Sequence, residues 1–237
     1  MMKKIIYSLV SLVLISCSSG SIEAQVIHNV SVVEFDKLIK SDEGIVLDVR
    51  TIDEVSEGHI KDATNIDFYA PDFASKLDLI RKDVPIYVYC RSGGRSSKTV
   101  AIMKDLGFKK VYNLLGGIGR WRNDGFKVVV TKEVVLKKQK SVLDAEFSEI
   151  IDNNNVVLVD FSTQWCVPCK KMKPVIDEIK KENKDVKVVF IDADINKELV
   201  KKYKIRGVPV FIVFKDGKEQ FRHVGVIDKM ELTNKLK

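Results

Sequence analysis

The chain has 237 residues, a formal net charge of +7 from 40 lysines and arginines against 33 acidic residues, and a hydrophobic share of 45%. This length fits one large domain or two ordinary ones, and the hydrophobic share is enough for buried cores. The lysines are scattered and no basic stretch is interleaved with aromatic residues, so nucleic acid is excluded as an expected partner.

The first 16 residues have the composition of a targeting segment. Lys3 and Lys4 give a basic start, and residues 5–15 are mostly apolar, a run too short to span a bilayer as the helix of a folded protein. The motif Leu14-Ile15-Ser16-Cys17 resembles the cleavage box of bacterial lipoproteins, which implies that Cys17 becomes the N-terminal residue and carries lipid. The alternative is an ordinary signal peptide in which Cys17 is incidental.

Residues 17–27 are interpreted as the lipidated cysteine and a flexible tether, because serines and a glycine follow Cys17. A serine directly after the cysteine resembles lipoproteins that are sorted to the outer membrane. We therefore expect the protein in the cell envelope, lipid-anchored at the outer membrane and facing the periplasm. Disulfides persist in that compartment, so the three other cysteines of the chain are open to thiol–disulfide chemistry.

Residues 28–130 follow an α/β pattern with short apolar strands at 45–49 and 86–89. The second strand ends at Cys90, and a glycine-rich turn and a helix over 99–106 follow. Strand, glycine-rich turn and helix predict an anion cradle, in which backbone N–H groups and the helix dipole point at the anion and would hold a thiol at its floor as thiolate. The cradle residues expected to bind the substrate are Arg91, Ser92, Gly93, Gly94, Arg95 and Ser96.

The spacing of Cys90 and Arg95 separates two kinds of chemistry. Phosphatase loops of the Cys-x5-Arg type place five residues between the cysteine and the arginine, whereas four lie between them here. The shorter loop resembles rhodanese, the sulfurtransferase family, and other residues match its early and late motifs: Leu47-Asp48-Val49-Arg50, Glu54, Gly58-His59-Ile60, Ala63, Asn65-Ile66, Gly116-Gly117 and Trp121.

The rhodanese resemblance implies that Cys90 attacks the outer sulfur of a donor such as thiosulfate, holds it as a persulfide and passes it to a nucleophile. Arg91 and Arg95 would suit an anionic donor. An inert buried cysteine is the alternative for Cys90. The residues expected to brace the cradle rather than react are Asp48, Arg50 and His59.

Residues 131–140 are polar and lysine-rich and are interpreted as a linker to a second domain, residues 141–237. There, an apolar strand at 156–161 leads into Trp165-Cys166-Val167-Pro168-Cys169, and a helical pattern follows. A cysteine at a helix start is favoured as thiolate, and its pKa falls from about 8.5 to about 7 or below. A structural zinc would need four ligands, and the chain offers no second cysteine or histidine pair. We expect neither a metal nor an organic cofactor.

From about residue 142 to the C-terminus the chain resembles thioredoxin. The matching motifs are Val157-Leu158-Val159-Asp160-Phe161, Trp165-Cys166-Val167-Pro168-Cys169-Lys170, Pro174 and Ile205-Arg206-Gly207-Val208-Pro209. The resemblance implies that Cys166 attacks, that Cys169 resolves and that Asp160 relays protons. It also implies that Pro209 is a cis-proline shaping the substrate groove, while Trp165 offers an apolar cover. The departures are Ser162 in place of a tryptophan, Val167 in place of a glycine, and Phe190 where a lysine near the buried acid is common.

The placement of the two cysteines also predicts their exposure. Cys166 starts the helix and is expected to be accessible, whereas Cys169 is one turn inside it and is expected to be less exposed.

The predicted fold is α/β in two domains, a rhodanese-like parallel sheet followed by a thioredoxin-like mixed sheet with flanking helices. The predicted function is an envelope thiol-disulfide oxidoreductase, with its dithiol at Cys166 and Cys169, coupled to sulfane-sulfur transfer through a Cys90 persulfide. In one alternative the first domain is a non-catalytic binding module, and in another the two domains act on separate substrates. Expected partners are protein thiols and disulfides, a small sulfur donor such as thiosulfate and, for a reductive role, a membrane electron-donor protein.

Overall fold

The computed structural model describes residues 25–41, 44–130 and 141–237. The predicted targeting segment, Cys17 and the predicted linker lie outside the described residues. Within the described part of the chain, no helix combines the length and the apolar character needed to cross a membrane. The strands form two separate sheets, one in each predicted domain.

The first sheet is entirely parallel, with the strand order β1-β5-β4-β2-β3. All four residues of β4 are buried, as expected for a strand covered on both faces by helices. The strands are β1 (Val26–Val30), β2 (Ile45–Asp48), β3 (Thr64–Asn65), β4 (Ile86–Tyr89) and β5 (Lys110–Leu114).

Four helices connect these strands and a fifth follows β5: α1 (Val32–Ile39), α2 (Ile52–Ser56), α3 (Phe73–Asp78), α4 (Gly94–Asp105) and α5 (Gly117–Asn123). The helix that was predicted over 99–106 begins earlier, at Gly94. Gly93 is its N-cap with a φ of 103°, a left-handed conformation that glycine adopts without steric cost, and it lets the chain enter the helix directly from the turn. Arg95 and Ser96 therefore belong to the first turn of α4.

The second sheet is mixed, with the order β7-β6-β8-β9, in which β6 and β7 are parallel and the other pairs antiparallel. Along the chain, the elements of this domain follow the order α-β-α-β-α-β-β-α. The elements are α6 (Asp144–Asp152), β6 (Val156–Ser162), α7 (Val167–Glu182), β7 (Val186–Asp192), α8 (Lys197–Lys202), β8 (Val210–Lys215), β9 (Lys218–Val224) and α9 (Lys229–Leu236). A hairpin turn at Asp216-Gly217 joins β8 to β9, with φ of 49° and 77°.

The cores of the two domains meet at one place. Leu79, which follows α3 in the first domain, is buried in a cluster whose other members, including Phe161, Cys166 and Val208, all come from the second domain. Trp165 of the second domain packs against buried clusters of both. The dithiol end of α7 therefore lies against the first domain.

Candidate active sites

Cys90 lies directly after β4, where a short turn leads into α4. Its side chain is buried, and its Sγ accepts hydrogen bonds from the backbone N–H of Gly93 (3.1 Å) and from the hydroxyl of Ser96 (3.5 Å). Cys90 is a free thiol, whereas the other two cysteines that the structure describes are joined to each other. The turn therefore surrounds a free sulfur atom with N–H and O–H donors.

The pKa of the Cys90 thiol is lowered from its ordinary value, although burial on its own raises it. Hydrogen bonds from the Ser96 side chain and from the backbone of Ser96, Ser92 and Gly93 favour the thiolate and outweigh the burial. The thiolate is the form that attacks a sulfur atom. The hydrogen bonds therefore favour the thiolate of Cys90, although its side chain is packed in a buried cluster.

Gly117, the first residue of α5, lies against the main chain of the cradle. Its φ is 58°, and a Cβ at this position would collide with the main chain of Cys90 and Arg91. The N–H groups of Ile118 and Gly119 donate to the carbonyls of Cys90 (2.9 Å) and Arg91 (3.0 Å). The start of α5 therefore holds the backbone of Cys90 and Arg91 in place.

Arg95 is paired with Glu54 of α2. Its two terminal nitrogens donate to the two carboxylate oxygens at 2.6 and 2.7 Å, and its guanidinium lies 5.6 Å from the ring centroid of Tyr69. Hydrogen bonding from Arg95 is the main reason that the pKa of Glu54 is lowered to about 2. The charge of Arg95 is therefore compensated within the domain, whereas Arg91 is exposed at the turn and available to an anion.

A buried ion pair supports Glu54 in turn. Arg50 and Asp48 are 2% and 0% exposed, and their closest nitrogen and oxygen are 2.6 Å apart. Arg50 also donates to the backbone carbonyls of Glu54 (2.9 Å) and Gly58 (3.0 Å). His59 is joined to Val129 through backbone hydrogen bonds. Asp48 and Arg50 thus connect to the cradle through Glu54, which the sequence marked only as part of a motif.

In the second domain, Cys166 is the N-cap of α7 and forms a disulfide with Cys169. Its Sγ accepts a hydrogen bond from the N–H of Cys169 at 3.2 Å. Pro168 lies in the first turn, where its missing N–H costs nothing. When the disulfide is reduced, the free N–H groups and the dipole of a 16-residue helix favour a thiolate at Cys166.

Cys166 is 2% exposed and Cys169 is 5% exposed, so the prediction that Cys166 is the more accessible of the two is wrong for this arrangement. The reason is that the first domain lies over the start of α7. A small cavity of about 10 Å³ at this contact is lined by Cys166 and Trp165 together with Thr64, Leu79 and Ile80 of the first domain.

Asp160 lies in the middle of β6 and faces α7. Its neighbours in the sheet register are Phe190 and Phe211, and it is 2% exposed. Burial raises the pKa of Asp160 to about 7, an effect reduced by the positive charge of Lys173 and increased by the negative charge of Asp177. No described residue donates a hydrogen bond to its Oδ1.

Lys173 was missed by the sequence reasoning, which noted the absence of a lysine at Phe190. The side chain of Lys173 lies over the ring of Phe190, 4.8 Å from its centroid, and its charge acts on Asp160. The sequence did contain a signal for Lys173, because positions 169, 173 and 177 are spaced by four and share one face of a helix.

Trp165 and Val208, the residue before Pro209, line the same small cavity as Cys166. The indole N–H of Trp165 donates to Asp194 at 2.6 Å, which fixes the ring beside Cys166. The Val208–Pro209 peptide bond is cis, and the carbonyl of Pro209 accepts a hydrogen bond from Gly225 at 2.8 Å. Among the described residues, no group of three or more histidine, cysteine or acidic side chains could hold a metal ion.

Family models match both domains. The model described as "Rhodanese-like domain" matches residues 31–124, and the model described as "Thioredoxin" matches residues 138–237. A thioredoxin of Mycoplasmoides gallisepticum is 39% identical over 93 residues, which are 39% of this chain and 93% of that protein. Thioredoxin 1 of Synechococcus elongatus is 41% identical over 98 residues, or 40% of this chain and 92% of that protein.

The chain belongs to the thioredoxin family, with a rhodanese-like domain in front. Among solved structures, a thioredoxin of Plasmodium falciparum has 33% identity and a TM-score of 0.38, covering 40% of this chain and 94% of that one. A rhodanese-related protein of Thermoplasma volcanium has 28% identity and a TM-score of 0.40, covering 44% of this chain and 99% of that one. The two domains indicate an enzyme, with redox chemistry in the thioredoxin domain and sulfurtransferase-type chemistry in the rhodanese-like domain.

Proposed function

We propose that the protein reduces sulfane sulfur that is carried on its own rhodanese-like domain, and that its thioredoxin domain acts as the acceptor. One observation carries the proposal. The chain combines a buried free cysteine with a lowered pKa, held in a ring of N–H and O–H donors, with a dithiol at a helix start. The first can hold a transferable sulfur, and the second can remove it.

The first step loads Cys90. Its thiolate attacks the outer sulfur of thiosulfate, the S–S bond of thiosulfate breaks, and sulfite leaves with the electron pair. The product is a persulfide on Cys90. The N–H groups of the turn and the exposed Arg91 suit the dianionic donor and the anionic persulfide.

The second step discharges the persulfide onto the dithiol. The thiolate of Cys166 attacks the outer sulfur and releases the Cys90 thiolate. Cys169 then attacks Sγ of Cys166, a disulfide forms, and hydrosulfide leaves. The sulfane sulfur is reduced and the dithiol is oxidised, so a reductant has to restore the dithiol before the next cycle. Asp160, with a pKa of about 7, is suited to accept the proton of Cys169 at neutral pH.

The proposed location is the cell envelope, with the protein held by lipid on Cys17 and facing the periplasm at the outer membrane. The support is the motif that ends at Cys17 and the serine-rich residues after it. In that compartment the reductant would be a protein that receives electrons from the membrane.

The test uses full-length chains that each lack one cysteine. Reduced wild-type protein given thiosulfate should release sulfide with a rate constant that does not depend on protein concentration, because both sites are on one chain. Tethering gives the acceptor an effective concentration of about a millimolar. A mixture of Cys90→Ser and Cys166→Ser chains contains both working sites on different molecules. At micromolar concentration this mixture should be much slower, and each variant alone should release no sulfide.

A mixture as fast as wild type at equal site concentrations would reject transfer within one chain. The two domains would then act on separate substrates. Sulfide release by Cys90→Ser alone would instead show that the dithiol reacts with thiosulfate directly, and the persulfide step would be wrong.

A further inference from the structure

A short piece of the rhodanese-like domain lies against the dithiol of the thioredoxin domain. This piece, residues 79–81, is called here the docking segment, and it follows α3. The carbonyl of Leu79 accepts a hydrogen bond of 3.0 Å from the N–H of Val208, the residue before the cis-proline. A main-chain bond of this kind is independent of side-chain identity, so another segment with a free carbonyl could make it in place of Leu79.

The side chains of the docking segment divide between the two domains. Leu79 is 4% exposed and is buried among residues of the thioredoxin domain, including Cys166 and Val208. Ile80, its neighbour, is buried in the core of its own domain. The segment is therefore anchored at Ile80 in its own domain, and its Leu79 side chain is buried in the other domain.

Arg81, the last residue of the docking segment, lies against two glycines of the thioredoxin domain. A Cβ at Gly207 would lie 3.1–3.3 Å from Cγ, Cα and N of Arg81, and a Cβ at Gly225 would overlap the Arg81 guanidinium. Both glycines thus leave room for a chain that carries a long cationic residue at this point. Arg81 itself is held by Asp83 through a hydrogen bond of 3.0 Å.

Two polar contacts continue the interface along the start of α7. The N–H of Val167, one of the free donors of this helix end, is bonded to the hydroxyl of Thr64 at 3.3 Å. Lys171 and Asp62 lie 3.8 Å apart and are both about half exposed, so this ion pair adds little. The N–H of Val167 and the face of Cys166 are therefore both occupied by the rhodanese-like domain.

We propose that the docking segment occupies the site at which the thioredoxin domain binds its client, and that the rhodanese-like domain competes with clients for Cys166. The kind of client follows from the occupant. It is a protein segment with a free backbone carbonyl on a large apolar residue in the place of Leu79, and with a basic residue two positions later. The client part of the proposal rests on the proposed function, whereas the competition does not.

Competition of this kind has a measurable size. Only the undocked fraction of molecules exposes Cys166, and the apparent affinity for any client falls in proportion to that fraction. The competitor is tethered, so it acts at an effective concentration of about a millimolar. Removing the contact between Leu79 and the thioredoxin domain should therefore raise the rate at which Cys166 reacts with other molecules by roughly fivefold or more.

The experiment compares two variants with a matched control in full-length reduced protein. Leu79→Ser removes the apolar contact from one side, and Gly207→Ala pushes against Arg81 from the other. Val33→Ser is the control, because Val33 is 69% exposed on α1 of the same domain. Two quantities are followed by peptide mass spectrometry: the rate at which a bulky maleimide modifies Cys166, and the hydrogen exchange of the segment that contains the Val208 amide.

We expect both contact variants to speed the modification of Cys166 and the exchange at Val208, and Val33→Ser to change neither. Equal rates in wild type and in both contact variants would overturn the proposal. Unchanged exchange protection of β4 shows that the rhodanese-like domain remains folded in each variant. Sulfide release from thiosulfate by the same proteins is measured separately. If it is absent in all of them while modification of Cys166 still speeds up, the proposed function fails and the competition stands.

Discussion

Glu54 and Arg95 meet through two parallel hydrogen bonds, although they are 41 positions apart in the sequence. This pair connects α2 to the first turn of α4, and therefore connects the buried Asp48–Arg50 pair to the cradle of Cys90. Because Glu54 accepts from Arg95, the arginine that the sequence offered as an anion ligand serves to hold the cradle in shape.

The first prediction concerns this pair. Glu54→Gln should lower the stability of the rhodanese-like domain by about 1–2 kcal/mol, since a charged two-point hydrogen bond is replaced by a neutral one at a partly exposed site. The pKa of Glu54 is lowered to about 2 when folded, so its stabilisation is complete above an unfolded pKa of about 4.5. It is lost as the pH falls through about 2. The difference between wild type and variant, measured by hydrogen exchange of β4, should shrink over this window.

Glu57→Gln provides the control, because Glu57 is exposed just after α2. A loss of stability in Glu57→Gln equal to that in Glu54→Gln would show that the effect is a general one of charge removal.

The second prediction concerns the thiolate of Cys90. Ser96→Ala removes the hydroxyl that donates to its Sγ, so the pKa of Cys90 should rise. The measurement is the pH dependence of Cys90 alkylation by iodoacetamide, followed on the peptide. Ser97→Ala is the matched control, because the Ser97 hydroxyl donates to the carbonyl of Gly93 and not to the sulfur. An unchanged midpoint in Ser96→Ala would show that the backbone N–H groups alone set the pKa.

The sequence was sufficient wherever a site is built from neighbours in the chain. Cys90 and Cys166 each stand between a strand and a helix, and a short segment determines that arrangement. These features depend on periodicity and turn residues, which a sequence displays directly.

The remaining features depend on packing between distant segments. Nothing near Leu79 in the sequence indicates that its side chain is buried in the other domain, because a leucine after a helix usually joins its own core. The low exposure of Cys166 has the same origin. Lys173 is an intermediate case, since helical spacing placed it on the face of Cys169 but could not show that it approaches Asp160.

The third prediction concerns the anchor. If Cys17 carries lipid, Cys17→Ala should move the protein from the membrane pellet to the soluble fraction of lysed cells. Incorporation of a labelled fatty acid, present in wild type and lost in the variant, provides a second readout. A variant that still sediments with membranes would contradict the lipoprotein interpretation of the motif that ends at Cys17.

The fourth prediction assigns the two sulfurs of the dithiol. Cys166 caps α7 and Cys169 lies one turn inside it. If Cys166 attacks, Cys169→Ser should accumulate mixed disulfides with client proteins, and Cys166→Ser should accumulate few. The measurement is non-reducing electrophoresis of cells after acid quenching. Combining Cys169→Ser with Leu79→Ser should increase the trapped amount if the docking segment competes with clients. Equal trapping by the two serine variants would reject the assignment of roles.

The last prediction concerns Asp160 and separates its effect on stability from its effect on catalysis. The pKa of Asp160 is about 7 in the folded protein, against an ordinary value of 3.8, because burial disfavours its charge. The carboxylate therefore destabilises the fold increasingly as the pH rises from about 4 to about 7, and the cost is constant above that, at about 4 kcal/mol or less. Asp160→Asn should accordingly stabilise the thioredoxin domain at pH 8 by about 2–4 kcal/mol and much less at pH 5.

The same variant should slow the release of client from the mixed disulfide at neutral pH, since Cys169 loses its proton acceptor. Hydrogen exchange of β6 measures the gain in stability, and the decay of a mixed disulfide across pH 6–9 measures the loss in rate. Asp185→Asn, at an exposed position before β7, should change neither. A gain in stability with an unchanged pH profile of release would mean that Asp160 is buried at a cost to the fold without taking part in proton transfer.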